Sequence, residues 1–208
     1  PALWDAATAP ASFSFMACSG ANTSDVRSGQ VSALHADTTL VSITVGGNDA
    51  GFSSVITACV ERGTSGCKTA TDNAIDYVLS TLGASLDSTY SAIRSAAPAA
   101  KVLVLGYPHL YAVPGDCVVG LSDTSRGYLN HAADVLDGTI ATHAQSAGFH
   151  FVDVRSQFSG HEICTPDRWL NSLTYPVESS YHPNKAGQAK GYYPRMSSAA
   201  ASSVAARS

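Results

Sequence analysis

Three short apolar runs, Thr39 to Val45, Lys101 to Gly106 and Phe149 to Val154, do most to limit what this chain can fold into. They are rich in β-branched or aromatic residues and hold almost no charge, the pattern of strands buried on both faces of a sheet. A fourth segment, Ser12 to Ala17, alternates Phe13, Phe15 and Ala17 with smaller residues, reads as another strand, and runs into Cys18-Ser19-Gly20. The stretches between carry helical periodicity. Ala70 to Ala96 places Ile75, Val78, Leu79, Leu82, Leu86, Tyr90 and Ile93 on one stripe, and Asp123 to Ala147 forms a second such stretch. Pro98 stops the first. Pro183 reads as an early residue of a last helix that Gly191 and Pro194 should break, and the Ala/Ser-rich tail from Ser197 to Ser208 has helical composition. Strands alternating with helices specify an α/β fold with a parallel sheet covered on both faces.

At 208 residues the chain is expected to form one domain, 1–208, with a sizeable core. Apolar residues make up 45% and charged residues 13%, which excludes a charge-rich disordered chain. A net charge of −4 without a basic cluster argues against nucleic acid as a partner, since phosphate tracking needs concentrated Lys and Arg. No apolar run approaches the ~20 residues that span a bilayer, so stable membrane insertion is not expected. Pro1 to Trp4 carry no signal-peptide pattern, and the chain is expected to be a mature form or a fragment.

The five cysteines, Cys18, Cys59, Cys67, Cys117 and Cys164, include no CxxC pair of the kind zinc sites show, and no metal site is expected. Cys59 and Cys67 flank Arg62-Gly63-Thr64-Ser65-Gly66, which suits a local bridge across a turn. Cys117 and Cys164 lie in loops after strands and suit a second bridge. Cys18 is then left over, which in an oxidising compartment points to a missing half or a free thiol. A buried reduced cysteine is the plainer alternative.

In parallel sheets chemistry collects at the carboxyl ends of the strands. Gly46-Gly47-Asn48-Asp49 follows Val41 to Val45 directly, so a tight turn would present the Asn48 amide there as a neutral donor. Such a donor suits an oxyanion hole, although the same four residues are also ordinary turn formers. Gly20 likewise either brings its backbone N–H close to a substrate oxygen or supplies a positive φ at a strand end. His182, in Ser179-Ser180-Tyr181-His182-Pro183-Asn184, is the candidate general base, because imidazole exchanges a proton near neutral pH. His35, His109, His131, His143 and His150 read as structural or exposed. His161, in Gly160-His161-Glu162-Ile163-Cys164, is the one rival.

Together these segments resemble the SGNH (GDSL) hydrolase family. The resemblance spans the whole chain and rests on Ile43-Thr44-Val45-Gly46-Gly47-Asn48-Asp49-Ala50-Gly51-Phe52, Val104-Leu105-Gly106-Tyr107-Pro108, the segment around His161, and Ser180-Tyr181-His182-Pro183. It looks closest to the secreted lipases, esterases and phospholipases of actinobacteria. The resemblance implies a three-layer α/β/α, flavodoxin-like architecture and a secreted carboxylic ester hydrolase, with Gly20 and Asn48 as oxyanion donors and His182 as base. It implies a serine acyl-enzyme and needs no metal or organic cofactor. The family's Gly-Asp-Ser motif does not occur here, and Gly115-Asp116-Cys117, the nearest string, stands in the wrong place with a cysteine better used in a bridge. The nucleophile and the first strand are therefore expected on a preceding segment bonded to Cys18. The position three before the histidine, an Asp in the family pattern, holds Ser179, and Glu178 is one residue off and should face away from the imidazole. Similar secreted members of the family use a backbone carbonyl at this position, so the resemblance implies a Ser-His dyad in which the Ser179 carbonyl orients the ring. A monomer acting on small-molecule or lipid esters is expected. A polysaccharide deacetylase of the same family and a noncatalytic binding remnant are the alternatives.

Overall fold

The computed structural model describes residues 1–118, 120–175 and 179–202. Its sheet has three parallel strands in the order β1 (Leu40–Ile43), β2 (Lys101–Leu105) and β3 (His150–Val152). The central strand explains the layering. Val102 and Val104 enter one apolar core and Leu103 and Leu105 another, because successive side chains of a strand point to opposite faces. All four are buried, so both faces must be covered.

Two helices cover the first face, α4 (Gly83–Ala96) and α5 (Asp123–Ser146), packing Leu86, Tyr90, Ile93, Leu136, Ile140 and Ala144 onto the valines. A short helix α6 (Arg155–Phe158) follows β3, and the second face is covered by α7 (Tyr193–Ala201) through Met196 and Ala199, with Trp4 of α1 (Ala2–Thr8) packed beside them. The result is a three-layer α/β/α arrangement. Beyond the carboxyl ends of the strands lies another core, built from Val55, Ile56, Leu110, Tyr111, Phe158, Ile163, Trp169 and Leu170, on which the loops of that edge rest.

Helix α3 (Phe52–Tyr77) begins well before Ala70 and contains the expected turn at Gly63, whose φ of 62° and ψ of −163° are not helical. Eight residues of straight helix would separate Cys59 from Cys67 by about 12 Å. The chain reverses at Gly63 instead, their Cα atoms are 3.9 Å apart, and the two cysteines are bonded. Cys117 and Cys164 are bonded as well, which removes Cys117 as a nucleophile, while Cys18 is an exposed free thiol.

Several local expectations are corrected. Ser12 to Ala17 forms no strand: Phe13 and Phe15 stack on each other, 41% and 57% exposed, and the segment pairs with no described strand. Alternation alone gives a segment no ladder partner. Leu79 leaves the buried stripe and is 68% exposed, because Val78–Leu82 winds as one π-helical turn that keeps Val78 and Leu82 on the same face and turns Leu79 outward. Pro183 is not helical. It bridges Leu170, and the Asn184 Oδ1 accepts the N–H groups of Ala186 and Gly187 to start the helical segment. Gly191 and Pro194 do not break that segment. Gly187–Tyr192 is a π-helical turn in which Gly191 lies flat on Phe158, where a Cβ would come 2.3 Å from the ring, and Pro194 stands just past that turn, near the start of α7 in a helical run that continues unbroken through Tyr192. The part of the tail from 203 to 208 lies outside the described residues, as do Val119, Glu178 and its neighbours 176 and 177.

Asp137 of α5 is fully buried at the carboxyl end of β2. Its Oδ1 accepts the Tyr107 N–H at 2.9 Å, while its Oδ2 has no hydrogen-bond partner among the described residues and stands 3.9 Å from the Arg155 Nε. Desolvation, reinforced by Asp153 and Asp134, pushes its pKa up to about 7 against the opposing pull of the Tyr107 N–H and Arg155. The native state therefore holds a proton that the unfolded chain has lost between about pH 4 and pH 7, and stability falls as pH rises through that window. Asp137→Asn, which keeps the acceptor for Tyr107, should gain on the parent as pH rises. Urea midpoints at pH 5 and pH 8 measure this, and a parent-to-variant difference that is the same at both pH values would show that the buried carboxyl is not neutral.

Candidate active site

Three loops meet at the carboxyl edge of the sheet. After β1 the chain enters Gly46-Gly47-Asn48-Asp49, closed by hydrogen bonds from the Ala50 N–H to the Gly46 carbonyl (3.0 Å) and from the Gly51 N–H to the Asn48 carbonyl (3.1 Å). Gly46 and Gly47 are buried and the Asn48 side chain is exposed. Its Nδ2 donates to the Ala21 carbonyl at 2.9 Å, which brings the Gly20 loop alongside. An amide NH₂ carries two hydrogens, so this bond leaves one for a ligand.

Gly20 is exposed with φ of 80°, a conformation that a side chain would strain, and a Cβ there would meet nothing within 4 Å. Just beyond it, Asn22 caps α2 (Thr23–Ser28) by accepting from the N–H groups of Ser24 and Asp25, and the Asp25 side chain answers by accepting the Asn22 N–H. Asp49 locks the two loops together. Its carboxylate accepts the Thr23 Oγ1 hydroxyl at 2.6 Å and the Thr23 N–H at 3.1 Å. The sequence offered Asp49 only as part of a turn; a strand-end aspartate followed by no local partner is the one signal that a distant donor exists.

The third loop carries His182. Asn171 brackets it from the preceding strand-like segment: the Asn171 N–H donates to the His182 carbonyl at 2.9 Å, and the Asn171 carbonyl accepts the Tyr181 N–H at 3.1 Å. Tyr181 has φ of 64°, an outlier for a residue with a large side chain, and its ring meets Phe52 edge-on with centroids 6.2 Å apart. Phe52 opens α3 directly after the Gly46 turn, so this contact brings the histidine loop to the Asn48 loop. Strain of this sort is held in place by surrounding contacts and gathers at functional sites.

The His182 side chain is exposed and makes no hydrogen bond among the described residues. The Ser179 carbonyl accepts from the Asn171 Nδ2 at 2.9 Å, which leaves one of its two lone pairs. His161 is occupied elsewhere. It stacks on Trp169 with centroids 3.7 Å apart and places its Nδ1 2.8 Å from the Asp167 carbonyl. His109 pairs with Asp134 and His143 with Asp87.

Tyr107 went unassigned from sequence although it stands in one of the segments that carry the resemblance. Its hydroxyl accepts the Gly47 N–H at 3.1 Å, 60 positions away, and desolvation pushes its phenol up to about 12. Among the described residues no group of His, Cys, Asp and Glu is arranged to hold a metal ion, and no helix is long and apolar enough to cross a membrane.

The model of the GDSL-like lipase/acylhydrolase family matches residues 1–190. A lipase of Streptomyces rimosus is 50% identical over 199 residues, covering 96% of this chain and 74% of that protein, and Lipase 1 of Streptomyces coelicolor is 48% identical over 96% of this chain and 75% of that protein. Among solved structures, the extracellular lipase from Streptomyces rimosus superposes with a TM-score of 0.93 at 49% identity, over 95% of this chain and 85% of that one. A phospholipase A1 from Streptomyces albidoflavus superposes with a TM-score of 0.92 at 48% identity, over 95% and 84%. Whole-chain agreement in sequence and in backbone shows that the chain belongs to the GDSL-like lipase/acylhydrolase family.

Proposed function

We propose that this chain forms most of a secreted carboxylic ester hydrolase of the lipase or phospholipase kind, acting through a serine acyl-enzyme. The observation that carries the reading is the Asn48 Nδ2 bond to the Ala21 carbonyl at 2.9 Å, which sets a side-chain amide and the Gly20 loop side by side at the strand ends that the His182 loop also reaches. In this reading a serine hydroxyl attacks the ester carbonyl carbon while His182 takes its proton. The carbonyl oxygen becomes an oxyanion, held by the free Nδ2 hydrogen of Asn48, the Gly20 N–H and the N–H of the serine. His182 then gives the proton to the leaving alcohol as the C–O bond breaks. Water, deprotonated by the same imidazole, attacks the acyl-enzyme and releases the acid. The second lone pair of the Ser179 carbonyl holds the imidazole Nδ1–H, fixing the tautomer without a carboxylate.

The serine belongs to the family's Gly-Asp-Ser turn, on a segment preceding Pro1 and tethered through Cys18. Support comes from the exposed Cys18 thiol and from the exposed Phe13, Phe15 and Met16 beside it, a strip of apolar surface next to the Gly20 loop. Two bridges in the described chain fit an extracellular protein. The enzyme acts as a monomer.

His182→Ala should remove nearly all ester turnover, whereas His161→Ala should retain it in any protein that stays folded. Retention of more than a few per cent by the first variant would refute the assignment of the base. Asn48→Ala should lower kcat by about 10²-fold with KM within a few-fold, measured by steady-state hydrolysis of a short-chain nitrophenyl ester. An unchanged kcat would return Asn48 to the role of a turn residue. In the active enzyme Cys18 should resist alkylation until a disulfide is reduced, as read by intact mass. A Cys18 that alkylates in the native, active protein would overturn the tether.

A further inference from the structure

The Gly46–Asp49 turn is fixed from inside by one side chain. Tyr107 stands two residues past the end of β2, after Gly106, and its hydroxyl takes the N–H of Gly47, the residue before Asn48. Gly47 is packed closely on the same side chain: a Cβ there would stand 3.1 Å from that hydroxyl. The backbone of Tyr107 is fixed in turn, since its N–H donates to the buried Asp137 carboxyl of α5 at 2.9 Å, and the carbonyl of Gly106 accepts the Tyr192 hydroxyl at 3.0 Å. Gly106 is pressed so closely on Asp137 that a Cβ would come 2.4 Å from its Oδ2. A rigid column thus runs from α5 through Asp137 and the Tyr107 main chain to the Tyr107 hydroxyl and the Gly47 N–H. On the outer side Asp49 is tied to Thr23. Asn48 is suspended between these two anchors.

We propose that Tyr107 is a positioning residue of the oxyanion hole, its hydroxyl holding the Gly47 peptide so that the Asn48 amide is already aimed where negative charge develops; this rests on the oxyanion role given to Asn48 above. Tyr107 does not touch the substrate. Its effect belongs to the transition state, because a donor that must reorganise during the reaction loses the advantage of being fixed beforehand.

The test uses the active enzyme and a short-chain nitrophenyl ester. Tyr107→Phe deletes only the hydroxyl and should lower kcat about tenfold while KM stays within about twofold. Thr71→Val deletes a buried hydroxyl of α3 that bonds only the Cys67 and Lys68 carbonyls of its own helix, and should keep kcat within about twofold even where its melting temperature falls equally. In an Asn48→Ala background, Tyr107→Phe should change kcat by less than about twofold, since the group it positions is gone. If Asn48→Ala is impaired alone but Tyr107→Phe keeps full kcat, or costs the same factor with and without the Asn48 amide, the positioning role is overturned while the oxyanion role stands. If Asn48→Ala itself keeps full kcat, the oxyanion role fails and this inference fails with it. Should Tyr107→Phe not accumulate as folded protein, Gly47→Ala makes the same test by pushing a methyl group against the hydroxyl, with the same expected loss of kcat at near-constant KM and the same overturning result.

Discussion

Burial of β2 on both faces is the constraint from which the candidate site follows. A strand whose Val102, Leu103, Val104 and Leu105 are all buried can sit only in the middle layer, with helices on either side. Its neighbours β1 and β3 then run parallel to it, and all three strands end at the same edge. The turn after β1, Tyr107 after β2 and Arg155 after β3 meet there because the sheet makes them meet. The polar groups released at the strand ends find partners in side chains of α5: Asp137 takes the Tyr107 N–H, and the Asn130 Oδ1 takes the N–H groups of Leu110 and Tyr111. Helix α5 is thus both a wall of the core and a row of brackets for the loops.

The strands were legible because each is a short run rich in β-branched or apolar residues, although only β2 is buried almost throughout, and Leu40–Ile43, Lys101–Leu105 and His150–Val152 fall inside the three segments read from sequence. Helix α5 was legible for the opposite reason, since a half-buried helix must alternate. What local pattern cannot carry is the existence of a partner. Ser12 to Ala17 alternates like a strand but pairs with no described one, and Gly191 with Pro194 looks like a break until Phe158 is seen filling the space that a Gly191 side chain would need. Local preference loses there to packing worth more than the propensity it overrides.

At the site the same division holds. Asn48, Gly20 and His182 could be singled out because the segments that carry them, each ordinary alone, occur together in the order of the family they resemble. Asp49 and Tyr107 could not, because what matters about each is a hydrogen bond to a residue 26 or 60 positions away. The bridges show an intermediate case. Cys59 and Cys67, eight apart, announce a local turn, whereas Cys117 and Cys164 close a span of 47 residues. On the chain-entropy model the longer closure withdraws about 4 kcal/mol of freedom from the unfolded state and the shorter about 2.6. The longer one is spent where regular structure is thinnest, pinning the segment after Tyr111 to the segment that leads into the histidine loop.

The site also divides its polar groups by side. Facing inward, Gly47, Thr23 and the Tyr107 main chain are bound to Tyr107, Asp49 and Asp137, in surroundings where an unpaired donor would cost more than most single bonds return. Facing outward, Asn48, Gly20 and His182 are exposed, with one Asn48 hydrogen and the imidazole uncommitted among the described residues. Reversed, the arrangement would fail twice. Donors satisfied on the outer side would have nothing to offer a developing charge, and loops unsatisfied on the inner side would shift to find partners. In the proposed reaction, pairing within and vacancy without would let a few exposed dipoles keep their aim in water, where each alone would turn toward solvent.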